Sequence, residues 1–193
     1  MARPKEFDTQ AVLDQAMDLF WSKGFEATSM SDLVEHLGLA RQSVYDTFGD
    51  KRAVYTAALR SYCQQRVANA RALFRSDSPV RAVLHEYLSH TIDKALGEED
   101  PRGCMLINAA VELASADEAT RELVTNTLKA IGRELTIRLR RAQENGEIGK
   151  HQDPVALARF FGSVMAGLLV LVKTTRERRA LEDVVDVALK TLG

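Results

Sequence analysis

Cysteine and proline are scarce in this chain of 193 residues: Cys63 and Cys104 are the two thiols, and there are four prolines. Two cysteines are too few for a disulfide framework, and no N-terminal apolar stretch has the form of a signal peptide, so a reducing cytoplasm is the expected compartment. Runs of alternating β-branched and aromatic residues between turn signals are nearly missing, which argues against a sheet. The longest apolar run, 160–172, is shorter than the roughly 20 residues a membrane-spanning helix needs and reads as a buried helix. The four histidines, His36, His85, His90 and His151, lack metal-ligand spacing, so no metal and no cofactor is expected. The motifs His-Glu-x-x-His and Gly-x-Ser-x-Gly and both glycine-rich phosphate fingerprints are also missing, so an enzyme is not expected.

An excess of positive charge is lacking too. The net charge is -1, and within residues 1–50 Arg3, Lys5, Lys23 and Arg41 face nine acids. Bulk electrostatics therefore do not announce a nucleic-acid partner, and any basic contact must be well placed. What the chain has is helical periodicity. Nearly half the residues are apolar and 27% charged, the proportions of a packed protein. Spacings of three and four predict an all-α fold of about nine helices. Asp8 caps a first helix carrying Val12, Ala16 and Phe20, which Gly24 ends. Ser29 and Asp32 form a capping box for a second, stopped at Gly38. A third spans about 40–47, with Val44 and Phe48 inward and Arg41, Gln42, Ser43 and Tyr45 left outside. Two short helices around a tight glycine turn predict a helix-turn-helix unit. Asp50 then caps a long fourth helix, which divides the chain into a head, 1–50, and a body, 51–193. In the body Pro79, Asp117 and Asp153-Pro154 open further helices, and a last one carries Leu181, Val184, Val185, Ala188 and Leu189.

The stretch TSMSDLVEHLGLARQSVYDTFGDK at 28–51 resembles the signature of TetR-family regulators, in which a Thr, a turn Gly, a Tyr-x-x-Phe pair and a Lys recur at this spacing. The likeness covers residues 7–60 closely; the body is similar in helix count and length alone. It implies a ligand-responsive DNA-binding transcription regulator, most commonly a repressor, that binds a palindromic double-stranded operator as a homodimer and is released by a small-molecule or electrophile inducer. The other function weighed is a helical interaction or carrier protein that keeps the head as scaffold.

Physical chemistry runs alongside the resemblance. A major groove about 12 Å wide admits one helix whose first turns carry donors and acceptors. Arg41 has a fork for guanine, Gln42 a paired donor and acceptor for adenine, and Ser43 completes the turn; the other reading of these three is a solvated helix face. The residues matching Thr28, Tyr45 and Lys51 hold phosphates in the family. Lys51 also stands where a helix N-terminus favours an anion, while Thr28 as a plain cap and Tyr45 as a packing residue stay open. Arg3 and Lys5 are either a minor-groove arm or an ordinary terminus.

The resemblance places a mainly apolar ligand cavity in the body, with Tyr62, Phe74, Tyr87, Met105, Asn108, Phe160 and Met165 as candidate lining, or as ordinary core. It also implies a homodimer through the last two helices. Gly162, Ser163, Ala166 and Gly167 put small side chains where a second helix can approach, and Gly162, Ala166, Leu169 and Val185 are the candidate interface. Cys104, within RGCMLINAAVE at 102–112, is similar to a family cysteine that senses electrophiles or oxidants. A thiol in a helix's first turn near Arg102 has a stabilised thiolate; an inert, space-filling core cysteine is the other reading.

Overall fold

A computed structural model describes residues 7–99 and 101–193. Arg3 and Lys5 lie outside the described residues. Among those described, nine α-helices and no strands are present.

The head consists of α1 (Thr9–Lys23), α2 (Met30–Leu37) and α3 (Arg41–Phe48). Asp8 caps α1 by accepting from the Gln10 N–H at 2.8 Å. The Ser29–Asp32 capping box forms in both directions, with Asp32 N–H donating to Ser29 Oγ at 3.0 Å and Ser29 N–H to Asp32 Oδ2 at 2.7 Å. Gly38 ends α2 in the left-handed region (φ 61°), and after Leu39 and Ala40 α3 begins. The 24-residue α4 (Lys51–Phe74) starts at Asp50, which accepts from Ala53 N–H at 2.8 Å. At 1.5 Å per residue it is about 36 Å long, and it packs on α1 near its start and on α7 farther along. The head's aromatic core includes it: Tyr55 meets Phe20 and Phe25 edge-on at 5.0 and 4.9 Å.

The body holds α5 (Val80–Gly97), α6 (Met105–Glu112), α7 (Glu118–Glu144), α8 (Pro154–Leu171) and α9 (Arg178–Lys190). Their caps follow the sequence at Asp117 and Asp153, which accept from Thr120 and Val155 N–H. Pro79 stands one residue outside α5, not in its first turn, because its backbone is extended (ψ 143°).

Two features bear on function. Arg138 on α7, 3% exposed, donates to Ser78 O at 2.6 Å and to Glu147 at 3.4 Å, and Glu147 in turn accepts from the Val80 N–H. One guanidinium thereby ties the α4–α5 turn to the α7–α8 turn. The other feature is the division of α8: 28% of it is buried inside the protomer, and its remaining faces are open in the single chain, as a helix with one face on the core and another for a partner requires. Phe161, Met165, Leu168 and Val172 face the core, while Phe160, Val170 and Leu171 are open.

Candidate nucleic-acid interface and sensor cavity

On α3, Val44 is fully buried and anchors the helix, which turns Arg41, Gln42 and Tyr45 outward and leaves Ser43 half-buried. The Arg41 guanidinium lies 5.7 Å from the Tyr45 ring centroid. Gln42 Nε2 donates to Asp46 Oδ1 at 2.7 Å, so meeting a base edge requires exchanging that partner. Lys51 is half-buried; its Nζ donates to Phe25 O at 2.9 Å and stands 4.1 Å over the Phe25 ring. It therefore fixes the turn after α1 to the head of α4. Thr28 departs from expectation. It is fully buried and its hydroxyl donates to Gly24 O at 2.6 Å, which commits the side chain to closing that turn and removes it from any phosphate-facing surface.

The same turn is where head and body join. Glu112, the last residue of α6, accepts from Phe25 N–H at 3.2 Å and Glu26 N–H at 2.9 Å. A Cβ at Gly24, where φ is 84°, would come within 3.3 Å of that carboxylate, so the bare glycine leaves room for the contact. Trp21 Nε1 donates to Arg102 O at 3.2 Å, with the Arg102 guanidinium 4.7 Å and the Lys94 ammonium 5.0 Å from its ring and Tyr62 edge-on at 5.1 Å. Arg52 pairs with Asp117 at 2.9 Å. None of these partners is close in sequence.

Behind the junction the candidate ligand residues separate among three cavities. Tyr62 lines one of about 210 Å³; Met105 and Asn108 line a second of about 480 Å³. Tyr87, Cys104 and Met165 line a third of about 560 Å³ between α7 and α8. Phe74 is core, stacked edge-on with Tyr87 at 5.0 Å. Phe160 is corrected: it points away from the interior, 39% exposed, because it lies on the side of α8 opposite the core-facing residues. Sequence reasoning missed Arg66, which lines both the first and third cavities; its spacing of four from Tyr62 on α4 was the available signal.

Cys104 is the N-cap of α6 and buried, and its Sγ accepts from the Tyr62 O–H at 3.3 Å. Burial, then the neighbouring Cys104, pushes the Tyr62 hydroxyl far up, so it stays a donor at neutral pH. The cation expected beside the thiol is elsewhere: Arg102 turns toward α1 and pairs with Asp18 at 3.1 Å. Gly103 allows the close approach before it, since a Cβ there would lie 2.9 Å from Leu169 O. Burial pushes the Cys63 thiol up as well.

The interface residues are also re-sorted. Leu169 and Val185 are buried inside the protomer, because both lie on the core sides of their helices. Gly162 and Ala166 border the third cavity. The large apolar side chains left open on α8 and α9 are Phe160, Val170, Leu171 and Val187.

Known proteins share this arrangement. Residues 12–58 match the family model described as bacterial regulatory proteins, tetR family, and residues 79–188 match the tetracyclin repressor-like C-terminal domain. The uncharacterized HTH-type transcriptional regulator YezE of Bacillus subtilis (strain 168) is 34% identical, with 100% of each chain covered. The HTH-type transcriptional repressor ComR of Escherichia coli (strain K12) is 35% identical over 98% of this chain and 90% of its own. A solved structure of a cysteine-substituted TetR family transcriptional regulator CifR, complexed with 26-base-pair operator DNA, superposes with a TM-score of 0.86 at 30% identity, covering 100% of both chains. With two family models covering head and body and relatives aligned over nearly its whole length, the chain belongs to the TetR family of bacterial regulatory proteins, helix-turn-helix transcriptional regulators.

Proposed function

We propose that the protein is a cytoplasmic repressor that binds a palindromic operator as a homodimer and is released by a small-molecule inducer, with residues 1–50 as the DNA-reading head and 51–193 as the sensing and dimerising body. The observation that carries this is the α3 surface: Val44 anchored inward with Arg41, Gln42 and Tyr45 outward, beside Lys51 at the head of α4. The relatives named as HTH-type regulators and the CifR complex with operator DNA support it. Arg41, Gln42 and Ser43 read base edges; Tyr45 and Lys51 hold phosphates; Thr28 acts through the turn it closes. Glu112 supports a route for release. It joins α6, whose first turns border the cavities, to the turn bearing Thr28, so a ligand that moves α6 moves the head.

The test is binding to operator and to random duplex across a salt titration. Affinity for both falls steeply with salt, because phosphate contacts release counterions. Lys51→Ala weakens binding to every duplex and reduces the salt slope by about one, whereas Gln42→Ala relaxes preference at one base position by about 1–3 kcal/mol. Salt-independent binding, or none, favours the carrier reading.

Two modes of induction differ at Cys104. In covalent sensing its Sγ adds to the β-carbon of an α,β-unsaturated carbonyl: the S–H bond and the C=C π bond break, the C–S bond forms, and the proton ends on the α-carbon. Cys104→Ser then still binds operator and is no longer released by a mild electrophile. Release of the Ser variant at the wild-type dose assigns induction to a non-covalent ligand, the mode its burial favours.

A further inference from the structure

The cavity of about 560 Å³ between α7 and α8 has a lopsided lining. Leu106, Ile131, Leu135, Ala158 and Met165 make an apolar wall. Every charged side chain among the lining residues is a cation, Arg66, Lys129, Arg133 and Arg159, and no Asp or Glu is among them. Elsewhere in the body, buried guanidinium and carboxylate groups are matched, as in Arg138 with Glu147 and Glu134 with Arg71 and Arg75. Arg66 has no carboxylate partner among the described residues. Its Nε, like that of Arg138, is buried with no hydrogen-bond partner there, and its side chain also borders the neighbouring 210 Å³ cavity, which places it in the wall between the two.

A half-buried guanidinium without a counter-charge is costly, and the cost is relieved when an anion arrives. Tyr87 stands in the same wall with a hydroxyl that burial pushes up and the Arg66 charge pulls down, so it remains a neutral donor near that guanidinium. Lys129, Arg133 and Arg159 are exposed and draw anions toward the opening. A planar guanidinium beside an O–H donor matches the geometry of a carboxylate, which accepts two parallel hydrogen bonds. The apolar wall beyond it suits a hydrocarbon or aromatic body.

We propose that the inducer of this regulator is an amphipathic carboxylate whose head group is held by Arg66 and Tyr87 and whose apolar body lies along Leu106, Ile131, Leu135 and Met165. The proposal rests on the regulator reading for the word inducer; the binding chemistry stands without it.

The experiment is calorimetry on the full DNA-free chain with two matched pairs of probes, 2-naphthoate against 2-naphthamide and decanoate against decanamide. In each pair the carboxylate binds at least about tenfold more tightly, the worth of a hydrogen bond to a charged group. Arg66→Met removes the preference and leaves amide affinity unchanged; Arg66→Lys keeps part of it, and thermal melting confirms that both variants fold. Equal affinity within both pairs, no carboxylate binding, a preference that survives Arg66→Met, or one abolished by Arg133→Gln overturns the proposal. Operator release by the same probes is measured separately. A chain that prefers carboxylates but binds no operator defeats the regulator reading alone; one that binds operator without the preference defeats this proposal alone.

Discussion

The double variant Leu171→Glu, Val187→Glu is expected to sediment as a folded monomer and to lose about 1,000-fold in operator affinity. Both side chains are open in the protomer, 41% and 62% exposed, so carboxylates there do not disturb its core. They do oppose burial against a second copy, because a charge loses its hydration without gaining a partner. In the homodimer proposed above, the large apolar side chains left open on α8 and α9 are the ones the twofold contact would cover. Two joined heads act as a bivalent ligand, in which the first bound half-site raises the effective concentration of the second head; avidity of this kind contributes about 10²–10⁴-fold. The monomer keeps the single-head term and its salt dependence. Sedimentation as a dimer, or unchanged affinity for a palindromic site, refutes the interface.

Arg138→Ala is expected to have the largest effect on stability, about 3–5 kcal/mol, because it strands Glu147 and the Ser78 carbonyl beside a pocket the guanidinium filled. For a chain of this size that lowers Tm by about 10 °C. The effect depends on pH in a definite sense. Burial alone would raise the Glu147 pKa, but the Val80 N–H and the Arg138 charge outweigh it and leave the carboxyl below its ordinary value of 4.5. A depressed folded pKa contributes stability that is present above the unfolded value and lost as pH falls through the folded one. The deficit of the variant is therefore greatest near neutral pH and narrows as pH falls below the ordinary carboxyl value of 4.5 and through the depressed folded one. Melting curves between pH 3 and pH 7 check both the size and the trend.

The places where reading the sequence succeeded and failed follow the range of the interactions. Caps are local: Asp8, Ser29 with Asp32, Asp50, Asp117 and Asp153 each accept from an N–H two or three residues on, and all five helix starts were legible. The outward side of α3 was legible because Val44 alone among its early residues is apolar enough to bury. On α8 the residues are apolar on every side, so helical spacing could not tell Leu169, which faces the core, from Leu171, which does not. Val185 lies on the amphipathic α9, where the apolar stripe marks the buried side without telling the protomer's own core from a partner. Partners such as Glu112 and the Phe25 and Glu26 amides are separated by 87 and 86 residues, and no local pattern encodes them. The isolation of Arg66 likewise shows only when the surrounding helices are in place.

Trp21 is the only tryptophan in the chain, and it sits at the seam between head and body with its indole N–H bonded to the Arg102 carbonyl and two cations against its ring. Any rotation of the head that breaks this bond changes both the hydration of the indole and the charge above it. The protein thus carries an intrinsic optical probe at its own hinge. Its emission shifts to longer wavelength as the seam opens, without an attached dye and without a competing indole elsewhere, and stopped-flow fluorescence can time that opening against the departure of DNA.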